Sequence, residues 1–332
     1  MRAISLSAAV FQRDAASTLA AVIAADRAGL DAVWLPAVPM SFDPMTLLGA
    51  IAMSTRRITI GTGIVPTYPR HPAVLVSQVL SVAPFARDRL RIGVGNSHPF
   101  IIEGMLGVPY HPPLAHLREY VAVMRDLLER GQVAFEGEYY RVNGALASPP
   151  TPVPIAISAL RAGMFRLAGE ISDGALAAWC PVPYLLGTAL PELTRGARAA
   201  GRPRPPLIAN VPIVWSSDGC AVRAAAREAL GVYLVAPAYV EMFRTAGFAI
   251  PSDSRVPPDA LIDSLFVWGS SAQIADRLRA IRRAGVDELM VTLHPAGEPE
   301  KELELAFRTL GELCAEFRIA PARPVRAQGG QP

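Results

Sequence analysis

Short apolar runs alternate with longer amphipathic stretches along most of the chain, the pattern of successive parallel βα units. Eight runs have strand length: AISLSAAV (3–10), DAVWLP (31–36), RITIGTGIV (57–65), LRIGVG (90–95), VPIAIS (153–158), GALAAW (174–179), LIANVPIVW (207–215) and DELMVTL (287–293). Between them, TLAAVIAADRAG, PMTLLGAIAMS, PAVLVSQVLSVA and LREYVAVMRDLLER carry helical spacing. Gly29, Gly131, Gly201 and Gly285 stand where such helices should end. Eight strands in 332 residues predict a (β/α)8 TIM barrel with insertions. A doubly wound sheet is the alternative, but the strand count and the last unit, RAGVDELMV, suit closure better. One insertion, about 131–150, holds FEGEYYRV, read as a β-hairpin turning near Gly137. A second, about 231–263, is Pro-rich and aromatic. Residues 1–317 are read as one barrel domain and 318–332 as a disordered tail.

Composition narrows the class. Hydrophobic residues make up 51% and charged residues 18%, as in a globular protein with a large core. The net charge is only +3 and no basic run occurs, which argues against a nucleic-acid partner. No apolar stretch is long enough to span a membrane uninterrupted. The early apolar segment is soon broken by Gln12, Arg13 and Asp14, so it reads as a first barrel strand rather than a signal peptide. Cys180, Cys220 and Cys314 are far apart and lack CxxC spacing, which fits a reduced cytoplasm and no structural zinc.

The strands ITIGTGIV and LRIGVG both end in loops rich in Gly, Pro, Tyr, His and Asn, the kind of strand end where a barrel builds its site. GTGIVP (61–66) and GVGNSH (93–98) superficially resemble dinucleotide loops, yet neither has a third glycine nor leads directly into a helix. A Rossmann site is therefore rejected, and Walker A, HExxH, EF-hand and GxSxG patterns are absent. The histidines at 71, 98, 111, 116 and 294 form no HxH or Hx3H pair, so no metal site is expected. His98 alone stands out, because it follows the end of strand four. His116, on a helix, receives no role. Trp34 and Trp268 read as packing residues. Trp179, ending strand six, is either core or a substrate contact, and Tyr68 in PTYPRHP is either packing or a substrate contact. Arg70 and His71 serve equally well as caps of the next helix.

RAGLDAVWLP, IGTGIVPTYPRHPAVLVSQ, DRLRIGVGNSHPFIIEGMLGVPY, VPIAISALRAGMFRLAGEISDG and RAGVDELMV together resemble the bacterial-luciferase-like superfamily. Within it, VPTYPRHP and the HP…EGMLG segment resemble the oxidoreductases that use the deazaflavin coenzyme F420. The resemblance implies a luciferase-like TIM barrel, a small-molecule substrate and a homodimer. It also implies hydride transfer from reduced F420 to an activated C=C, C=N or C=O group. A reduced-FMN monooxygenase and a non-catalytic deazaflavin-binding protein remain alternatives. By the same resemblance, Gly63, Ile64 and Val65 form a non-prolyl cis bulge backing the cofactor ring. Asn96 and Ser97 flank the ring, and Ala159, Leu160, Arg161 and Met164 bind its phosphate at a helix start. Three departures stand out. Ala37-Val38 replaces the Asp-His pair that many deazaflavin members carry after strand two, and His98 stands where sugar-phosphate dehydrogenases have glutamate. The glycine-rich phosphate loop reads Leu160-Arg161-Ala162, so Arg161 either strengthens phosphate binding or narrows the site. His98 is then the candidate proton donor or acceptor, and the missing pair favours reduction of an acceptor.

Overall fold

The computed structural model describes residues 4–251 and 255–319. Its centre is a ring of eight parallel strands: β1 (Leu6–Ala9), β2 (Ala32–Leu35), β3 (Thr59–Thr62), β4 (Leu90–Gly95), β5 (Ile155–Ser158), β6 (Gly174–Ala177), β7 (Leu207–Val214) and β8 (Glu288–Leu293). Each strand pairs with the next, and β8 pairs back onto β1 with Leu289 opposite Leu6. A doubly wound sheet would leave two open edges; this one has none, so the barrel reading holds. Two short strands extend its C-terminal end: Val65–Pro66 on β4 and Val267–Trp268 on β7.

Helices cover the outside because their sequences start and stop them there. The Asp14 carboxylate accepts from Ser17 N (2.7 Å) at the head of the helix Ala15–Ala28. Asp43 caps Pro44–Ser54 in the same way, and Ser270 and Gln273 form a reciprocal capping box on Ser271–Arg283. All four glycines expected at helix ends have positive φ. The outward strand side chains and the inner helix faces make one large core, while a smaller apolar cluster fills the barrel itself.

That inner cluster contains Trp34, Ala156, Leu176, Ile208 and Met290, with Ala9 and Ile64 packed against it. Beneath it lies an ionic knot. The Arg91 guanidinium donates to both Glu288 carboxylate oxygens (2.7 and 3.1 Å), and Ser7 Oγ (2.6 Å) and Trp34 Nε1 (2.9 Å) donate to Oε1. Arg91 also sits over the Trp34 ring, 4.1 Å from its centroid. Close neighbours explain the glycines of the nucleotide-like loops: a Cβ at Gly61 would lie 2.9 Å from the Trp34 ring. A Cβ at Gly93 would lie 2.1 Å from the Thr62 carbonyl oxygen. These glycines make room inside a barrel rather than cradle a phosphate.

The first insertion contains an antiparallel hairpin, Gln132–Glu136 with Arg141–Ala145, closed by a Gly137 N to Tyr140 O bond of 2.8 Å. The Glu119 carboxylate, on the helix Pro113–Arg125, accepts from the backbone of Glu138, Tyr139 and Tyr140 and ties the turn down. The second insertion contributes the helix Pro237–Thr245 and the start of Asp259–Leu265; residues 252–254 of it lie outside the described residues. Of the tail expected from residue 318, Arg318 and Ile319 end the helix Pro299–Ile319 and the rest lies outside the described residues.

Candidate active site at the barrel mouth

Three of the expected segments meet at the C-terminal ends of β3, β4 and β5. The Gly63–Ile64 peptide is cis. Gly63 N donates to Leu35 O (2.8 Å), and Ala37 N donates to Ile64 O (3.3 Å), so the β2 loop holds this bulge through backbone alone. Val65 lies opposite Val94, which brings the bulge beside the end of β4. There, a Cβ at Gly95 would lie 2.0 Å from Ser158 Oγ and 3.3 Å from Ile64 Cγ1. The missing side chain at Gly95 therefore lets the bulge, the β4 end and the β5 end approach one another closely.

The remaining expected cofactor residues surround that point with different exposures. Val65 and Ala159 are buried. Asn96 is buried, and its Oδ1 has no hydrogen-bond partner. Ser97 has φ +57. Leu160 O accepts from the Tyr184 hydroxyl (3.1 Å). Arg161 begins the helix Ala162–Ile171, whose first turn has no side-chain cap. Its guanidinium is half-exposed and stands 3.8 Å from Glu241 of the second insertion. Met164 packs partly buried against the outer core.

His98 begins the short helix Pro99–Ile102 without capping it. Its ring stacks on Phe100 (5.5 Å, 7°) and contacts Tyr239 (5.7 Å) and Tyr233 (6.4 Å) of the second insertion. Burial among these rings holds its pKa below the usual imidazole value. Trp179, with φ +57, contacts Tyr233 (5.0 Å) and Phe266 (5.9 Å). It also contacts His294 (5.4 Å), a residue that received no role from sequence. His294 directly follows β8, its N–H donates to Ile213 O (2.8 Å), and its Nε2 is buried without a partner. Burial pushes its pKa down to about 4. The positional rule that singled out His98, a polar residue just past a barrel strand, also applies to His294.

Tyr68 goes elsewhere. Its hydroxyl donates to His111 O (2.7 Å), and its ring lies between Tyr110 (4.6 Å) and His116 (4.0 Å, 3°). Among the described residues, no ring contact joins this stack to His98. His71 Nδ1 accepts from Ala73 N (3.2 Å) as a helix cap, and Arg70 pairs with Asp43 (2.6 Å). Among the described residues, no cluster of three His, Cys, Asp or Glu side chains is placed to hold a metal ion, and no helix is long and apolar enough to cross a membrane.

Residues 3–288 match the family model of the luciferase-like monooxygenases. The chain is 24% identical over 303 residues to the 5,10-methylenetetrahydromethanopterin reductase of Archaeoglobus fulgidus, covering 85% of this chain and 90% of that protein. Its fold is similar to that of an F420-dependent secondary alcohol dehydrogenase in complex with an F420-acetone adduct (TM-score 0.78, 18% identity, 94% of this chain and 98% of the other). It is also similar to the FMN-bound oxygenating constituent of 3,6-diketocamphane monooxygenase from Pseudomonas putida (TM-score 0.71, 18% identity, 94% and 99%). With a family match over most of its length and the same closed barrel, this chain belongs to the luciferase-like monooxygenase family.

Proposed function

We propose that this chain is an F420-dependent oxidoreductase that reduces an activated C=C, C=N or C=O group of a small molecule. The observation that carries the reading is the convergence of Gly63–Val65, Gly95–Ser97 and Ser158–Arg161 on one point at the barrel mouth. The names of the Archaeoglobus reductase and the alcohol dehydrogenase agree with it.

The residues present fit the cofactor. The backbone of Gly63–Val65, the Asn96 side chain with its orphaned Oδ1, and Ser97 would hold the ring. The uncapped start of the helix Ala162–Ile171 offers N–H groups and a positive dipole end to a phosphate. When bound, reduced F420 supplies the hydride. The protein's part is to place the substrate carbon and manage one proton. His98 is the proton carrier, and its half-buried position among the rings sets the pH at which it works. An acid must be protonated, so with a pKa held below 6.5 the reductive rate rises as pH falls through that range.

The test is a fluorescence titration with both cofactors, followed by turnover. Micromolar or tighter F420 binding with FMN at least about tenfold weaker supports the reading; the reverse order points to oxygen activation on bound FMN and overturns it. For the role of His98, His98→Ala should lower the reductive kcat by about 10²-fold and flatten its acid-side rise. An unchanged profile removes His98 from the mechanism.

A further inference from the structure

The reductase reading uses one end of a longer chain of rings. From His98, ring contacts pass to Tyr239 and Tyr233 of the second insertion, then to Trp179 after β6, and on to His294 after β8 and Phe266. Their centroid separations lie between 4.8 and 6.4 Å, and these residues come from three strand ends, the second insertion and, for Phe266, the residue just before Val267–Trp268.

Two features of this wall cost stability and are not needed for packing. The first is the pair of buried atoms His294 Nε2 and Asn96 Oδ1, neither of which has a hydrogen-bond partner. An unmade buried hydrogen bond costs about 1–3 kcal/mol. The second is the left-handed backbone of Trp179 and Ser97, on order of 1–3 kcal/mol each for side-chain-bearing residues. All four lie just past the C-terminal end of a barrel strand.

The wall also lacks charge. Burial alone shifts His98 and His294, whereas His116, on the far aromatic stack, feels His111 and Glu119. Tyr239 is acted on only by burial, Tyr233 and Cys180, and Tyr233 only by burial and Trp179. Arg161, the one cation among the residues expected to hold the cofactor, stands 3.8 Å from Glu241. Recognition of a phosphate or carboxylate calls for an unpaired guanidinium or ammonium, and the rings offer none.

We propose that these six rings form the substrate side of the site, that the substrate is an uncharged, conjugated carbonyl compound, and that His294 Nε2 hydrogen-bonds its polar end remote from the reacting carbon. This rests on the reductase reading, yet the two fail separately. The six rings are tilted against one another by 43–74°, so they offer both edges and faces to an unsaturated, apolar skeleton. The His294 imidazole, with its pKa pushed down to about 4, stays neutral near pH 7 and can hydrogen-bond the polar end without attracting ions.

Equilibrium dialysis tests this on the protein saturated with oxidised F420, which prevents turnover. The ligands are 4-(4-hydroxyphenyl)but-3-en-2-one and 4-hydroxycinnamate, one skeleton with and without a carboxylate. The ketone should bind at least about tenfold tighter. His294→Ala should weaken the ketone by about tenfold and leave F420 affinity within about twofold, with His294→Gln recovering part of the loss. Equal or tighter binding of the carboxylate, binding of neither, or an unaffected His294→Ala variant overturns the proposal. If that variant does not fold, the comparison of the two ligands on the unsubstituted protein still decides. Failure of F420 itself to bind overturns the reductase reading instead, and dialysis without cofactor then tests the ring pocket alone.

Discussion

The ionic knot inside the barrel gives a quantitative test of how the site is supported. Arg91 and Glu288 are held in two charge-assisted hydrogen bonds, with side chains only 6% and 2% exposed. Replacing Arg91 by Met removes the guanidinium and leaves the Glu288 carboxylate with two neutral donors, Ser7 Oγ and Trp34 Nε1. Breaking a buried pair from one side costs about 3–5 kcal/mol, because the remaining charge stays desolvated. Replacing both partners removes that penalty. Arg91→Met should therefore lower the unfolding free energy by about 4 kcal/mol, and Glu288→Met by a similar amount. The double variant should lose much less than the sum, with a coupling of at least about 2 kcal/mol. Urea unfolding followed by circular dichroism measures all four corners of the cycle. The knot also bears on the site: Trp34 packs beneath Gly63, whose added Cβ would come within 3.2 Å of the Trp34 Cβ, and Ile64 rests on the same cluster. F420 affinity should thus fall in Arg91→Met and recover partly in the double variant. Additive losses with no coupling, or a single-variant cost under about 1 kcal/mol, would refute the picture of a desolvated pair.

Two further outcomes follow from other contacts. Gly93→Ala forces a methyl to within 2.1 Å of a backbone oxygen that cannot rotate away, so it should cost about 3 kcal/mol in urea unfolding; a neutral result would show that β3 and β4 can separate at no cost. Burial lowers the His116 pKa from 6.5 to about 4, with His111 acting in the same direction and Glu119 opposing. Its contribution to stability is therefore intact above pH 6.5 and is lost as pH falls towards 4, by about 3 kcal/mol in all. His116→Gln should flatten that part of the stability profile between pH 7 and 4.5, and an unchanged slope would place the titration on other groups.

The barrel was legible because its strands are apolar on both faces. Each observed strand lies within its expected run, and the trimmed ends are where the chain turns to the mouth: Val65 leaves β3 and Trp179 leaves β6. Closure was legible only as a count, since the β8 to β1 pairing joins residues from opposite ends of the sequence. The knot went unread for the same reason: Arg91 and Glu288 are 197 positions apart. Each nevertheless left a mark, a charged side chain inside LRIGVG and DELMVTL, where a strand buried on both faces should carry none.

The mouth shows why position in a loop predicts less than partners do. Tyr68 and His98 both sit in loops after strands; the sequence singled out His98 and left Tyr68 open between packing and a substrate contact. For Tyr68 the outcome is set by Tyr110, His116 and the His111 carbonyl, which occupy both ring faces and the hydroxyl. For His98 the surroundings are set by Tyr233 and Tyr239, which come from an insertion more than a hundred residues away and meet it through ring contacts. The second insertion thus makes the mouth aromatic and lowers the His98 pKa in one step. Any proton transfer by His98 is tied to how that insertion packs, so a substitution at Tyr239 should move the pH dependence of turnover even though Tyr239 carries no proton for the reaction.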